Sequence, residues 1–120
     1  MSTRSEIGMM NEDGSVTSIY CHSDGYPDEA GQTLKECYFN SKQVARLLAL
    51  GDLSELGTSL AKTVAYDRDC DETGNEALTT VSEKEWLSEV QDGGRAFAYL
   101  FKNGSWHAWK LNPRIAPINI

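Results

Sequence analysis

The chain has 120 residues, of which 18 are acidic and 11 are basic, so its formal net charge is −7. This length fits one domain over residues 1–120, and the 40% share of apolar residues favours a folded domain over a disordered chain. The acidic balance argues against direct binding of nucleic acid, because that binding needs lysine and arginine to neutralise phosphates. No apolar run approaches the roughly 20 residues that cross a bilayer, so we expect no membrane contact.

The first predicted element is a β-hairpin near the N-terminus. Its arms are Ser5–Met10 and Ser15–His22, and they are joined around an Asp-Gly pair that favours a tight turn. The second arm alternates in the period of a strand. The ten residues at the N-terminus carry one base and one acid before any apolar stretch, which is not the pattern of a secretory signal.

Two helices and a short strand are predicted next. Asp28–Phe39 places apolar residues at helical spacing. Asn40 is a predicted N-cap with a glutamine three residues on, and Gly51 is placed to end this second helix. Residues 52–57 are expected to form a turn, and Thr63–Asp67 a further strand.

A third helix and a second hairpin complete the predicted elements. Ser82 begins the helix with a capping box, and a pair of glycines ends it. Arg95–Lys102 and Ser105–Leu111 flank an Asn-Gly pair, which is the strongest short-range signal for a hairpin. Pairing across this turn would place Tyr99 opposite Ala108.

The order of these elements is β-β-α-α-(β)-α-β-β, which is typical of an α+β domain. We expect two β-hairpins to form an antiparallel sheet, with the helices packed on one face. Residues 112–120 contain two prolines and are expected to form an extended tail on the surface.

Negative charge is concentrated between residues 61 and 94, which carry nine acids and three bases. Ordinary solvated side chains would explain such a block. The alternative is a surface that imitates the charge of a nucleic-acid backbone and binds a groove lined by lysine and arginine. On that hypothesis the binding residues are five acids in the first half of the block: Asp67, Asp69, Asp71, Glu72 and Glu76.

The same block begins like an EF-hand calcium loop, with Asp67, Asp69 and Asp71 at the first three ligand positions. The match then fails, because Glu72 stands where the loop needs glycine and Leu78 where it needs a bidentate glutamate. A zinc site would need the fold to gather cysteine and histidine, since the sequence has no Cys-x-x-Cys pair. We therefore predict no metal and no cofactor.

The densest group of reactive side chains lies where the first hairpin ends and the first helix begins. Its members, with the one other histidine of the chain, are Tyr20, Cys21, His22, Asp24, Tyr26 and His107. Cys21 and His22 cannot pair through adjacency, because neighbouring strand residues point to opposite faces. This group is either the site of an enzyme or small-ligand binder, or a structural turn with Cys21 in the core.

The cysteines indicate the redox environment. Cys21, Cys37 and Cys70 are odd in number and irregularly spaced, unlike the even, dense set of a disulfide-rich secreted domain. The sequence therefore predicts reduced thiols and a cytoplasmic location.

Three motifs open the chain: Arg4-Ser5-x-Ile7-Gly8, Asp13-Gly14-x-Val16 and Ile19-Tyr20-Cys21-His22-x-Asp24-Gly25-Tyr26-Pro27. They resemble the motifs of a family of small phage and prophage proteins. Further similarity lies in residues 44–57, 64–69 and 99–106, and Ser23 stands where the family pattern has tryptophan. The resemblance implies an accessory protein in the cytoplasm of a host cell, and it implies no catalytic residue.

The acidic block and this resemblance together predict a non-enzymatic protein that binds a host protein stoichiometrically. Its target would be a defence enzyme that handles nucleic acid through a basic groove, inhibited in the manner of an anti-CRISPR or anti-restriction protein. Two alternatives stay open. One is an enzyme or ligand binder at the Cys21–Tyr26 turn, and the other is a structural or assembly protein of a phage.

Overall fold

The structure is a computed structural model that describes residues 3–120. Met1 and Ser2 lie outside the described residues. They are the first two residues of the predicted domain and of the N-terminal segment that lacks the pattern of a secretory signal. Within residues 3–120 no helix has the length and apolar character needed to cross a membrane.

Eight strands and four helices follow one another within residues 3–120. A π-helical turn, Pro27–Gly31, leads directly into the first helix. The helices are α1 (Gln32–Cys37), α2 (Ser41–Leu48), α3 (Tyr66–Asp69) and α4 (Glu83–Asp92). The strands are β1 (Ser5–Met10), β2 (Val16–Cys21), β3 (Leu53–Glu55), β4 (Val64–Ala65), β5 (Leu78–Thr80), β6 (Phe97–Lys102), β7 (Ser105–Lys110) and β8 (Ala116–Ile118).

The strands form one mixed sheet in the order β4-β3-β2-β1-β6-β7-β8, and β5 pairs with β2 beside this path. β1 and β2 are antiparallel, as are β6 and β7, where Tyr99 lies opposite Ala108. However, β1 and β6 are parallel, with Ile7 opposite Tyr99, and β2 and β3 are parallel as well. The α+β class is confirmed, whereas the expectation of a purely antiparallel sheet is wrong. The long connection between β2 and β6 contains helices. It is long enough for the hairpin of β1 and β2 to join the hairpin of β6 and β7 through the parallel strands β1 and β6.

The helices cover both faces of the sheet. On one face Ile7 and Tyr99 lie in a core with Leu34 of α1 and Leu47 of α2. On the other face the buried side chain of Trp86 from α4 joins a second core against β2 and β6. The expectation that helices pack on one face is therefore wrong. The central strands are apolar on both sides, so each face must be shielded from water.

Local signals place the helix ends. The Asn40 side chain accepts from the backbone N–H of Gln43 at 2.9 Å, and the Gln43 side chain accepts from the N–H of Phe39 at 3.0 Å. Ser82 accepts from the N–H of Glu85 at 3.2 Å and begins α4. These bonds satisfy backbone donors that a helix leaves free at its start.

The structure differs from the predicted elements in the middle and at the end of the chain. The strand predicted over Thr63–Asp67 is limited to β4, and its second half belongs to α3. The predicted turn at 52–57 contains β3, and β5 was not predicted. Within residues 112–120, β8 pairs with β7 at the sheet edge, where Pro117 lies opposite Trp109.

Candidate functional site

Two of the five acids proposed for docking are held by groups of the domain itself. Asp69 accepts from Arg68 Nη2 at 2.8 Å and from the backbone N–H of Ala65 at 2.8 Å. The hydrogen bond from Arg68, with that from Ala65, lowers the pKa of Asp69 below its usual value. Asp67 accepts from Asn75 Nδ2 at 2.9 Å. These two carboxylates therefore stabilise the local fold around β4 and α3.

The other three acids, Asp71, Glu72 and Glu76, are exposed and form what we call the acidic loop. They make no ion pair with any residue that the structure describes. Asp71 has a positive φ of 55°, which helps to turn the chain sharply after α3. Three carboxylates within six residues are thus free to attract a cationic partner.

A groove of about 490 Å³ lies between β5 and α4, directly after the acidic loop in the chain. Leu78 and Val81 contribute apolar surface, and their side chains are 75% and 68% exposed. Glu85 and Glu89 contribute carboxylates from α4, and Trp86 lies between them in the helix. We call this feature the β5–α4 groove, and it combines negative charge with exposed apolar surface.

The sheet side of the groove carries a buried carboxyl. Glu6 accepts from Ser18 Oγ at 2.8 Å and from Arg95 Nε at 3.1 Å. Burial nevertheless raises the pKa of Glu6 above its ordinary value, because desolvation disfavours the charged form more than these partners favour it. The guanidinium carbon of Arg95 also lies 4.4 Å from the centre of the Tyr20 ring. Arg95 therefore ties the end of α4 to the sheet.

Sequence reasoning missed this groove. Its carboxylates come from β1 and α4, far apart in the chain, and only folding brings them beside β5. One local signal was present: Thr79, Thr80 and Val81 are three consecutive β-branched residues, which favour a strand.

The alternative site at the end of β2 is brought together only in part. Tyr20 Oη and His22 Nδ1 are 2.6 Å apart. Desolvation raises the pKa of Tyr20. Asp24 lies in the following turn with a φ of 56°, and Tyr26 packs against Phe97 with ring centres 6.0 Å apart. The Tyr20–His22 pair is therefore a real contact, but Asp24 and Tyr26 have structural roles beside it.

Cys21 is not activated as a nucleophile. Its side chain is fully buried in the core that contains α1 and α2, and burial raises the pKa of its thiol to about 11. His22 directly follows β2, and its ring contacts Tyr20, whose side chain points to the opposite face of the sheet from Cys21. His107 lies on β7, which is separated from β2 by β1 and β6. The fold thus brings neither histidine to Cys21 as a base.

The remaining chemistry of the described residues is limited. Among residues 3–120 no group of three or more histidine, cysteine, aspartate or glutamate side chains is arranged to hold a metal ion. Cys21, Cys37 and Cys70 are all free thiols. The three aspartates that match the start of a calcium loop are therefore a likeness in sequence, and the fold does not arrange them as a metal site.

No family model, no curated protein and no solved structure matches this chain. The resemblance to phage and prophage proteins stays a prediction. The acidic loop and the β5–α4 groove are therefore the candidate functional site.

Proposed function

We propose that this chain is a non-enzymatic binding protein that docks its acidic loop on a basic face of another protein. The observation that supports the proposal is the set of three exposed carboxylates, Asp71, Glu72 and Glu76, that have no cationic partner among residues 3–120. Unpaired surface carboxylates attract lysine and arginine on a partner and speed its association.

The proposed partner is an enzyme that handles nucleic acid through a groove lined by basic residues. A protein with a net charge of −7 and an exposed acidic loop can occupy such a groove in place of phosphates. The family resemblance suggests the setting, namely a phage or prophage accessory protein in the cytoplasm of its host. There it would inhibit a CRISPR effector or a restriction enzyme stoichiometrically.

The roles of the five predicted acids are then divided. We assign docking to Asp71, Glu72 and Glu76, and a structural role to Asp67 and Asp69, which are already bonded within the domain. Reversing the charge of Asp69 would therefore weaken the fold locally and would not test docking. The acidic loop is the segment to change.

The test compares two charge-reversed variants for capture of host proteins. The first carries Asp71→Lys, Glu72→Lys and Glu76→Lys. The control carries the same change in net charge at three exposed acids elsewhere: Glu12→Lys, Glu36→Lys and Glu55→Lys.

The immobilised protein is expected to capture nucleic-acid-binding proteins from a bacterial lysate at low salt and to release them at high salt. The loop variant should lose this capture, and the control should keep it. Capture of the same proteins by the loop variant would contradict the proposal.

A further inference from the structure

We propose that the partner also adds an extended basic segment to the outer edge of β5 as a further strand of the sheet. This inference rests on the proposed function, and it names the second contact that the same partner makes. The acidic loop ends where β5 begins, since Glu76 is separated from Leu78 by one residue. A partner bound to the acidic loop would therefore lie close to the outer edge of β5.

In the part of the chain that the structure describes, the sheet has three outer edges, and two of them are closed. At β4 the N–H of Ala65 donates to Asp69 at 2.8 Å, and the carbonyl of Thr63 accepts from Arg68 at 2.5 Å. At β8 the central residue is Pro117, which has no N–H to donate. Closed edges of this kind prevent pairing with other chains.

The edge of β5 is different. Its residues pair with β2 on one side, with Thr79 opposite Thr17 and Leu78 opposite Ser18. Within the part of the chain that the structure describes, no backbone hydrogen bond reaches its other side. Unpaired backbone donors and acceptors at a strand edge are the template for strand addition.

The register of β5 determines what an added strand would contact. Leu78 and Thr80 share the face of Ser18 and Val16, which is the face of the groove. Alternate side chains of an added strand would lie over the same groove. There they would contact the exposed apolar surface of Leu78.

Charge selects the kind of strand. Glu85 and Glu89 lie one turn apart on the exposed surface of α4, and both line the groove. The third carboxyl of the groove, Glu6, is compensated by Arg95, so the groove has a net negative charge. Lysine or arginine at alternate positions of the added strand would complement it. A second copy of this chain fits poorly, because its own acids would face the same carboxylates.

The probe is a short synthetic peptide in which lysine alternates with valine and threonine, titrated into the whole protein by calorimetry at low salt. The groove variant carries Glu85→Lys and Glu89→Lys. The control carries Glu12→Lys and Glu36→Lys, which change the net charge equally at exposed positions outside the groove. We expect binding to the groove variant to be about tenfold weaker or worse, and binding to the control to match the unmodified protein.

Two further peptides distinguish strand addition from simple attraction of charge. Both have the side chains of the first peptide, and each carries N-methyl groups on one of the two alternate sets of residues, so that it cannot donate along one edge. Strand addition predicts that methylation of one alternate set abolishes binding and that methylation of the other set is tolerated.

Equal binding of both methylated peptides, or equal binding to the groove and control variants, would overturn the inference. So would a concentration-dependent dimer that the peptide disrupts, because a second copy would then occupy the edge. If the peptides fail while the loop variant still loses salt-sensitive capture, the proposed function stands and only strand addition is wrong.

Discussion

The thiol of Cys21 lies in the core between the sheet and the first two helices, and burial raises its pKa to about 11. The side chain of Cys70 is exposed after α3. Since only the thiolate is nucleophilic, we expect iodoacetamide to modify Cys70 first in the folded protein near pH 8. Cys21 should react only after unfolding. Mass spectrometry of tryptic peptides checks this order.

In denaturant all three cysteines should react at comparable rates, which serves as the control. Modification of Cys21 in the folded protein as fast as Cys70 would return Cys21 to consideration as a site residue. The neighbouring Tyr20–His22 contact would then need a functional explanation as well.

Glu6 makes stability depend on pH through its burial. Its pKa is raised in the folded state above the ordinary value of 4.5, so the folded state binds the proton more tightly than the unfolded state. This contribution to stability is complete below about pH 4.5, and it is lost as the pH rises through the raised folded pKa. The unmodified protein should therefore gain stability relative to Glu6→Gln as the pH falls from neutral.

Urea unfolding of both proteins across that pH range measures the difference in free energy. The glutamine side chain introduced by Glu6→Gln cannot titrate, and the titrating groups remote from Glu6 are common to both proteins, so their contributions cancel. A loss of stability of the unmodified protein relative to Glu6→Gln as the pH falls would contradict the sign of the pKa shift.

At the scale of elements, the N-cap of α2 offers a direct test of how a local signal stabilises the fold. The Asn40 side chain accepts from the N–H of Gln43 at 2.9 Å. Asn40→Ala should lower the free energy of unfolding by about 1 kcal/mol, because it leaves that donor without its side-chain partner. Asn40→Asp keeps an acceptor and should cost little. Equal losses in thermal or denaturant unfolding would show that this bond does not stabilise α2.

Elements with a local signal could be predicted from the sequence. The cap at Ser82 and the pairing of Tyr99 with Ala108 follow from residues only a few positions apart. The parallel pairing of β1 with β6 could not be predicted from the sequence, because the two strands lie near opposite ends of the chain and only folding brings them together. β5 was missed because three residues are too few for a periodic pattern.

At the scale of the whole molecule, the charge count indicated an acidic surface without showing which acids are free. Nothing in the sequence distinguishes Asp69 from Glu72 as a docking residue. In the structure Asp69 is bonded to Arg68, whereas Glu72 is exposed and makes no ion pair among residues 3–120. Long-range contacts decide this difference, as they decide that Glu85 and Glu89 border β5. The negative charge of the candidate site could therefore be predicted from the sequence. Which acids form the site could be identified only from the folded structure.

The central claim is that the acidic loop occupies the nucleic-acid groove of a partner. The most direct measurement is competition between this protein and fluorescently labelled duplex DNA for a captured partner enzyme, followed by fluorescence anisotropy. We predict that the unmodified protein displaces the DNA, that added salt weakens the displacement, and that the variant with lysine at positions 71, 72 and 76 displaces none. A stable complex that holds the enzyme, the DNA and this protein together would contradict the claim.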